Sequence, residues 1–308
     1  MTPTPTQPPD TFAQEPQSGT RPAATVSFIV PTRNSARTLE NCLRSIRAQS
    51  YPHLELIVVD NTSTDTTVPI ALEYADTVFD YGPERSAQRN AGARAARGAV
   101  VAFIDSDMVI EPAVAEEAAH SFAREAGVGA LVVPERSFGE GFLARCRALE
   151  KQLYLGHPSV EAARVFRREA FDKAGGYDET LYAAEDWEFA DRVRAAGWGL
   201  GRLKAGVLHD EGRISLSAQF RKKRYYGRNL RRYLRDPQIA SRPMRRSALL
   251  AKPGELLRSP LLTTGLVLLK SVETAGLLFQ SELALSVPCE LKDSCEACTP
   301  TSCKPDVV

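Results

Sequence analysis

Ala99-Val100-Val101-Ala102-Phe103-Ile104, followed at once by Asp105-Ser106-Asp107, is the stretch on which the reading of this chain turns. A short unbroken apolar run that ends in turn-forming polar residues fits a strand buried on both faces. Such strands belong to parallel sheets covered by helices, and ligands on those sheets sit beyond the carboxyl ends of the strands. Two carboxylates two residues apart at that end can share a hard divalent cation and the hydroxyls of a nucleotide, since Mg²⁺ keeps several positions for water and phosphate. The competing reading is a turn or helix cap, for which Asp and Ser are well suited.

Upstream the same alternation repeats. Val26 to Val30 reads as a buried strand that stops at Pro31, and Leu39, Cys42, Leu43 and Ile46 then fall on one helical face. Leu54 to Val59 reads as a second strand ending in Asp60, Thr64 to Tyr74 as a helix, Thr77 to Phe79 as a short strand, and Ser86 to Arg97 as an Ala/Arg-rich helix closed by Gly98. Downstream, Gly129 to Pro134 and Arg164 to Phe166 read as strands, Glu185 to Ala196 as a helix, and Gly206 to Leu208 as a last strand before His209. The sum is an α/β chain with a mostly parallel sheet.

Three further features carry candidate chemistry. Asp60 ends a strand and could accept hydrogen bonds from a base or ribose, although Asn61 to Thr64 also make a good cap. In Glu185-Asp186-Trp187-Glu188 a carboxylate near a helix start can act as a general base, or merely complement the helix dipole. His209 can complete a metal site, although a lone histidine is more often structural.

Taken in order, Pro31-Thr32-Arg33-Asn34, Asp60 to Asp65, Ala87-Gln88-Arg89-Asn90-Ala91-Gly92, Asp105-Ser106-Asp107, Gly175 to Glu179, Ala184 to Phe189 and His209 resemble the motif series of family 2 glycosyltransferases, over about Thr25 to Tyr233. The resemblance implies a GT-A nucleotide-diphospho-sugar transferase fold, with a mostly parallel central sheet flanked by helices and, here, a C-terminal helical extension. It implies inverting transfer of a sugar from a nucleoside-diphosphate sugar to an acceptor hydroxyl, without a covalent enzyme intermediate. Residue by residue, it puts Pro31, Thr32 and Asn34 in the nucleotide pocket, Asp60 at the base, Arg89 and Asn90 near the ribose and diphosphate, Asp105 on the ribose side, and Asp107 on a divalent metal, Mg²⁺ or Mn²⁺. Asp186 matches the general base, His209 a position that helps hold metal or diphosphate, and Glu185 and Trp187 the acceptor side. Related enzymes carry a Q-x-x-R-W-like element where this chain has Gln219-Phe220-Arg221-Lys222-Lys223-Arg224-Tyr225. The spacing departs, so Arg221 and Arg224 as diphosphate ligands compete with a solvated or lipid-facing basic helix. A catalytically silent protein of the same fold, either sugar-nucleotide-binding or a scaffold, is the alternative. A dehydrogenase or nucleotidyltransferase would want a glycine-rich phosphate loop after the first strand, which Pro31 to Asn34 does not offer.

Composition sets the surroundings. The 308 residues carry 39 Lys and Arg against 38 Asp and Glu, which excludes a uniformly basic nucleic-acid binder. The neutral total conceals a segment, Arg213 to Arg246, with twelve basic residues and one acidic residue. After it, Leu261 to Leu285 carries only Lys270, Glu273 and Glu282 as charges. We read that pair of segments as an attachment to an anionic membrane surface or as packing on the catalytic domain; a spanning helix is the rival, burdened by Lys270 and Glu273 near its middle. The acceptor is then a glycan, a lipid-linked molecule or another hydroxyl compound, met at the cytoplasmic face of the membrane. The expected divisions are a disordered Pro/Thr-rich tail (1–24), a catalytic domain (25–235), a basic and apolar helical extension (236–287) and a Cys-containing tail (288–308). Cys289, Cys295, Cys298 and Cys303 could ligate zinc as four thiolates, but their spacing lacks two C-x2-C pairs, and free thiols in a tail are the simpler reading.

Overall fold

The computed structural model describes residues 24–157, 160–181, 185–227 and 252–283. The chain opens with β1 (Val26–Thr32), α1 (Leu39–Arg47), β2 (Leu54–Asp60), α2 (Thr67–Tyr74), β3 (Thr77–Asp80), α3 (Arg85–Ala95) and β4 (Val100–Phe103). These four strands pair in parallel in the order β3-β2-β1-β4. Every residue of β1 and of β4 is buried, as their largely apolar sequences require, and Ser27 of β1 donates to the buried Glu55 of β2. Side chains alternate across the sheet: Val26, Phe28 and Val30 join the core beneath α1, whose Leu39, Cys42, Leu43 and Ile46 are all buried, while Ile29 faces Ala91 and Ala93 of α3 on the other side. α3 lies so close to β1 that a Cβ on Gly92 would come 2.3 Å from Ile29 Cγ2.

The expected stop at Pro31 is corrected. β1 runs on through Pro31 and Thr32, which pair with Val59 and Asp60. Ile29 accepts a bond from Ile104 on the β4 side and Thr32 one from Asn61 on the β2 side, so Pro31 turns its missing donor toward β4, beyond the last β1–β4 pair at Ile29 and Phe103.

The second half is mixed. It comprises β5 (Met108–Ile110), α4 (Val114–Arg124), β6 (Val128–Val132), β7 (Glu135–Glu140), α5 (Gly141–Tyr154), β8 (Ala163–Arg167), α6 (Arg168–Lys173), α7 (Glu185–Ala195), β9 (Gly199–Arg202) and β10 (Val207–Arg213). β8 is antiparallel to both β4 and β6, and β6 carries β9, which completes a seven-stranded sheet. β5, β10 and β7 form a separate three-stranded sheet, unforeseen in the sequence. His209 lies within β10 rather than after it.

α8 (Leu216–Gly227), α9 (Pro253–Arg258) and α10 (Pro260–Leu283) follow, and α10 packs along α5 and α8. Lys270 and Glu273 meet no solvent-side partner: Glu273 pairs with Arg147, and Lys270 with Glu150 at 2.5 Å and with Glu273 at 2.8 Å. The N-terminal tail and the cysteine tail with its zinc reading lie outside the described residues.

Candidate active site

The carboxyl ends of β1 and β2 are tied to each other before any ligand enters. Asp60 Oδ1 accepts from Thr32 Oγ1 at 2.8 Å and from Ser63 Oγ at 2.6 Å, and its Oδ2 accepts from the Ser63 amide at 2.7 Å. About four acceptor sites belong to a carboxylate, so little is left over for a ligand. Gln88 of α3 donates to the carbonyls of Thr32 and Val59 at 2.9 and 2.7 Å. Asn34 sits at φ 48° and caps the facing loop, its Oδ1 accepting from the Thr64 amide at 2.9 Å. The residues expected at the nucleotide are thus gathered around one cleft end, held mainly by one another.

Beside them, Arg89 draws two distant motifs together. Its guanidinium is 1% exposed and donates to Asp105 Oδ1 at 2.8 Å from one nitrogen, and to Asp186 Oδ1 and Glu185 Oε1 at 2.9 and 3.3 Å from the other. It also stacks 5.1 Å from the centre of the buried Tyr177 ring. α3, the end of β4 and the start of α7 therefore meet on one cation. Burial alone would raise Asp105, but Arg89, Arg164 and Arg85 hold it well below the usual carboxylate range. Glu185 goes the other way, raised by burial and by the neighbouring Asp186. Side-chain exposure rises from 6% at Glu185 to 18% at Asp105, 24% at Asp186 and 41% at Asp107, so the opening lies on the Asp186 and Asp107 side. Of the two acids at the start of α7 that meet Arg89, Asp186 is the one that presents itself there.

Asn90, expected near the diphosphate, spends its amide on the Tyr177 backbone and on Glu179. It pins the Gly175-Gly176-Tyr177 loop, where Gly176 at φ 71° has no space for a Cβ, which would fall 2.7 Å from Asn90 Oδ1. Trp187 donates its indole N–H to the Val160 carbonyl at 3.0 Å. Arg221 is exposed on α8, and Arg224 lies over the Phe279 ring at 5.6 Å, on the side of α8 that faces α10.

His209 stands beside Asp107, its Nε2 3.1 Å from Asp107 Oδ2, because β10 pairs with β5 directly after the Asp105-Ser106-Asp107 turn. Its Nδ1 lies 3.0 Å from Glu135 Oε1, on β7. Although burial lowers it, hydrogen bonds to Asp107 and Glu135 push His209 up to about 10. Asp107 Oδ1 is buried with no hydrogen-bond partner, and so is Arg89 Nε. Among the described residues no three His, Cys, Asp or Glu side chains converge as a cage for a metal. Asp107 and His209 nonetheless fit a Mg²⁺ or Mn²⁺ site completed by phosphate oxygens and water: Oδ1 of Asp107 is a hard oxygen without a partner among the described residues, and the His209 Nε2 lies beside the same carboxylate.

Glu135, Arg164 and Lys151 were missed in the sequence. Arg164 of β8 donates to Asp105 Oδ2 at 3.2 Å and to Glu135 Oε2 at 3.0 Å, and Lys151 of α5 reaches Glu135 Oε1 at 2.6 Å. The available signal for Arg164 is a cation inside the strand, flanked by Ala163 and Val165, whereas Arg167 stands at its end.

The model of the family described as Glycosyl transferase family 2 matches residues 27–175. A pre-mycofactocin glycosyltransferase from Mycobacterium tuberculosis strain H37Rv is 29% identical over 222 residues, covering 66% of this chain and 46% of that protein. The glycosyltransferase AglE of Haloferax volcanii is 35% identical over 91 residues, 27% of this chain and 30% of that protein. The chain thus spans less than half the length of either relative. Among solved structures, the mannosyltransferase PcManGT from Pyrobaculum calidifontis, in complex with GDP-Man and Mn²⁺, superposes with a TM-score of 0.54 at 22% identity, covering 85% of this chain and 80% of that one.

Proposed function

We propose, since this chain belongs to glycosyl transferase family 2 and has a GT-A fold, that it moves a sugar from a nucleoside-diphosphate sugar onto an acceptor hydroxyl with inversion at the anomeric carbon. The observation that carries this reading is the convergence of Asp105 and Asp186 on Arg89, with Asp107 and His209 alongside. A donor lying along the carboxyl ends of β1, β2 and β4 would set its ribose hydroxyls toward Asp105 and its diphosphate toward Asp107 and His209. Asp186, on the open side, accepts the proton of the acceptor hydroxyl as that oxygen attacks the anomeric carbon. The bond from that carbon to the diphosphate oxygen breaks with its electron pair, and a single displacement inverts the centre. Asp107 and His209 would hold a divalent ion, which would supply neutralisation of the leaving diphosphate. The Mn²⁺ and GDP-Man of the archaeal mannosyltransferase support an ion and a donor of that kind. Arg89 does not touch the substrates in this scheme: it keeps Asp105 ionised and holds both Asp105 and Asp186 in place.

The acceptor we propose is a lipid-linked or polysaccharide hydroxyl presented at the cytoplasmic face of a membrane, which the basic stretch from Arg213 to Arg246 supports. Two measurements test the assignment. Calorimetry with UDP-, GDP-, dTDP- and CMP-sugars, each with and without Mn²⁺, is expected to show metal-assisted binding of one nucleotide class; binding of none would return the chain to the silent-scaffold alternative. Asp186→Asn is expected to keep that binding and to lower transfer by about 10²- to 10⁴-fold. Unimpaired transfer by this variant removes Asp186 as the base.

A further inference from the structure

The polarity of α10 is inverted. Its charged residues face the protein, where Glu273 is 4% exposed and ion-paired to Arg147, together with Leu266 and Leu269, both buried. At 3.6 residues per turn the opposite face holds Leu261, Val267, Leu268, Leu278 and Phe279, each between 49% and 72% exposed. No exposed position from Pro260 to Phe279 carries a charge. A groove of about 580 Å³ lined by Leu256, Leu266, Val267, Lys270, Thr274 and Leu278 opens along this face. Thr264, Ser271 and Thr274 are the polar side chains exposed there, and an apolar surface of this extent marks a covered surface.

We propose that this face of α10 lies on an anionic bilayer, along its plane and not across it. The proposal rests on the membrane context given above and adds the surface and its depth. Charge chooses the occupant. Arg221, Lys222 and Arg224 are exposed on α8, alongside α10, and Phe220 of α8 meets Phe279 at 6.1 Å between ring centres. The stretch from Arg213 to Arg246 thus leaves the described structure at Gly227, near the C-terminal half of α10, and the chain returns at Lys252 to enter α9 and the N-terminal end. With Arg221, Lys222 and Arg224 exposed beside it, two copies facing each other across α10 would oppose like charge, whereas acidic headgroups would neutralise it. The ion network sets the depth. Pro260 to Phe279 is long and apolar enough to cross a membrane, but crossing would tear Glu273 and Lys270 from Arg147 and Glu150 and carry both charges into hydrocarbon. Docked, the helix instead offers half its circumference to the headgroup and acyl boundary.

Flotation of the full chain with phosphatidylcholine vesicles, with and without phosphatidylglycerol, tests this. The unmodified chain is expected to float only with the acidic lipid and to be released by concentrated salt or by alkaline carbonate. The outward pair Leu268→Glu and Leu278→Glu is expected to reduce the bound fraction on the order of tenfold or more, while nucleotide-sugar binding in the absence of vesicles stays unchanged. That second readout separates failure of the membrane seat from failure of the transferase reading. Flotation unaffected by the pair overturns the proposal. So does resistance to carbonate, which would mean a spanning helix, or a dimer in light scattering that the pair dissolves, which would mean a second copy.

Discussion

Two ion networks among the described residues are finished differently. Along α5 and α10, Arg147, Glu150, Lys270 and Glu273 pair with one another in a closed set, two cations against two carboxylates. At the carboxyl end of the large sheet, Arg89, Arg164, Lys151 and His209 meet Asp105, Asp107, Glu135, Glu185 and Asp186, yet Arg89 Nε and one oxygen of Asp107 are buried without a partner. A closed network holds two elements together. An open one, with acids in excess and donors unspent, is built to be completed by a ligand.

The largest expected effect breaks the two apart by the same change in each. Arg147→Met leaves Glu150 and Glu273 with Lys270 alone, one cation against two buried carboxylates, and should lower stability by about 3 to 5 kcal/mol, read by denaturant unfolding, while donor binding persists in the folded fraction. Arg89→Met should cost stability and also abolish donor binding, because Asp105 and Asp186 lose the cation that orients both. Equal loss of donor binding in the two variants would mean that the networks are coupled and that the contrast is false.

A smaller effect sharpens the open network. Glu135 faces His209 Nδ1 at 3.0 Å, and a carboxylate there orients the ring and turns Nε2 toward Asp107. Glu135→Ala is expected to weaken Mn²⁺ binding in the presence of a nucleoside diphosphate by about 10- to 100-fold, followed by water-proton relaxation. Glu135→Gln retains an acceptor for Nδ1–H and should stay close to the unmodified chain. An equal loss in both variants would assign the effect to the charge on Glu135 and not to ring orientation.

The two halves of the fold were unequally legible for a physical reason. β1, β2 and β4 are buried on both faces, so their interiors are apolar runs interrupted only by Ser27 and Glu55, which bond each other, and α1 shows its buried face as a clean period. Asp60, Asp105, Asp107 and Asp186 could be found because each ends a strand or begins a helix in a recognisable motif. β7, in contrast, is Glu135-Arg136-Ser137-Phe138-Gly139-Glu140, an edge strand of a small sheet with no buried apolar row to announce it. Glu135 and Arg164 reach the site through pairings between residues far apart in the chain, which no local period encodes. α10 was visible as an apolar stretch, but its inverted faces depend on where Arg147 and Glu150 stand in α5.

The mildest test is acid. Burial would raise Glu273, yet Lys223, Arg147 and Lys270 bring it down to about 2 from an ordinary value near 4.5, and Glu150 is lowered as well. A carboxylate depressed in the folded state contributes stability that is complete above its unfolded value and is lost as pH falls toward the folded one. The seat of α10 should therefore be intact at neutral pH and weaken between about pH 4.5 and 2, with Glu273 contributing a loss of roughly 1 kcal/mol by pH 4. Asp105 is held lower still by Arg89 and Arg164, so the end of the large sheet should outlast α10. Hydrogen exchange across this range is expected to release the amides of α10 before those of β1 and β4. Protection in α10 that persisted to pH 2, or the reverse order of release, would show that apolar packing of Leu266 and Leu269, and not the closed network, carries the helix.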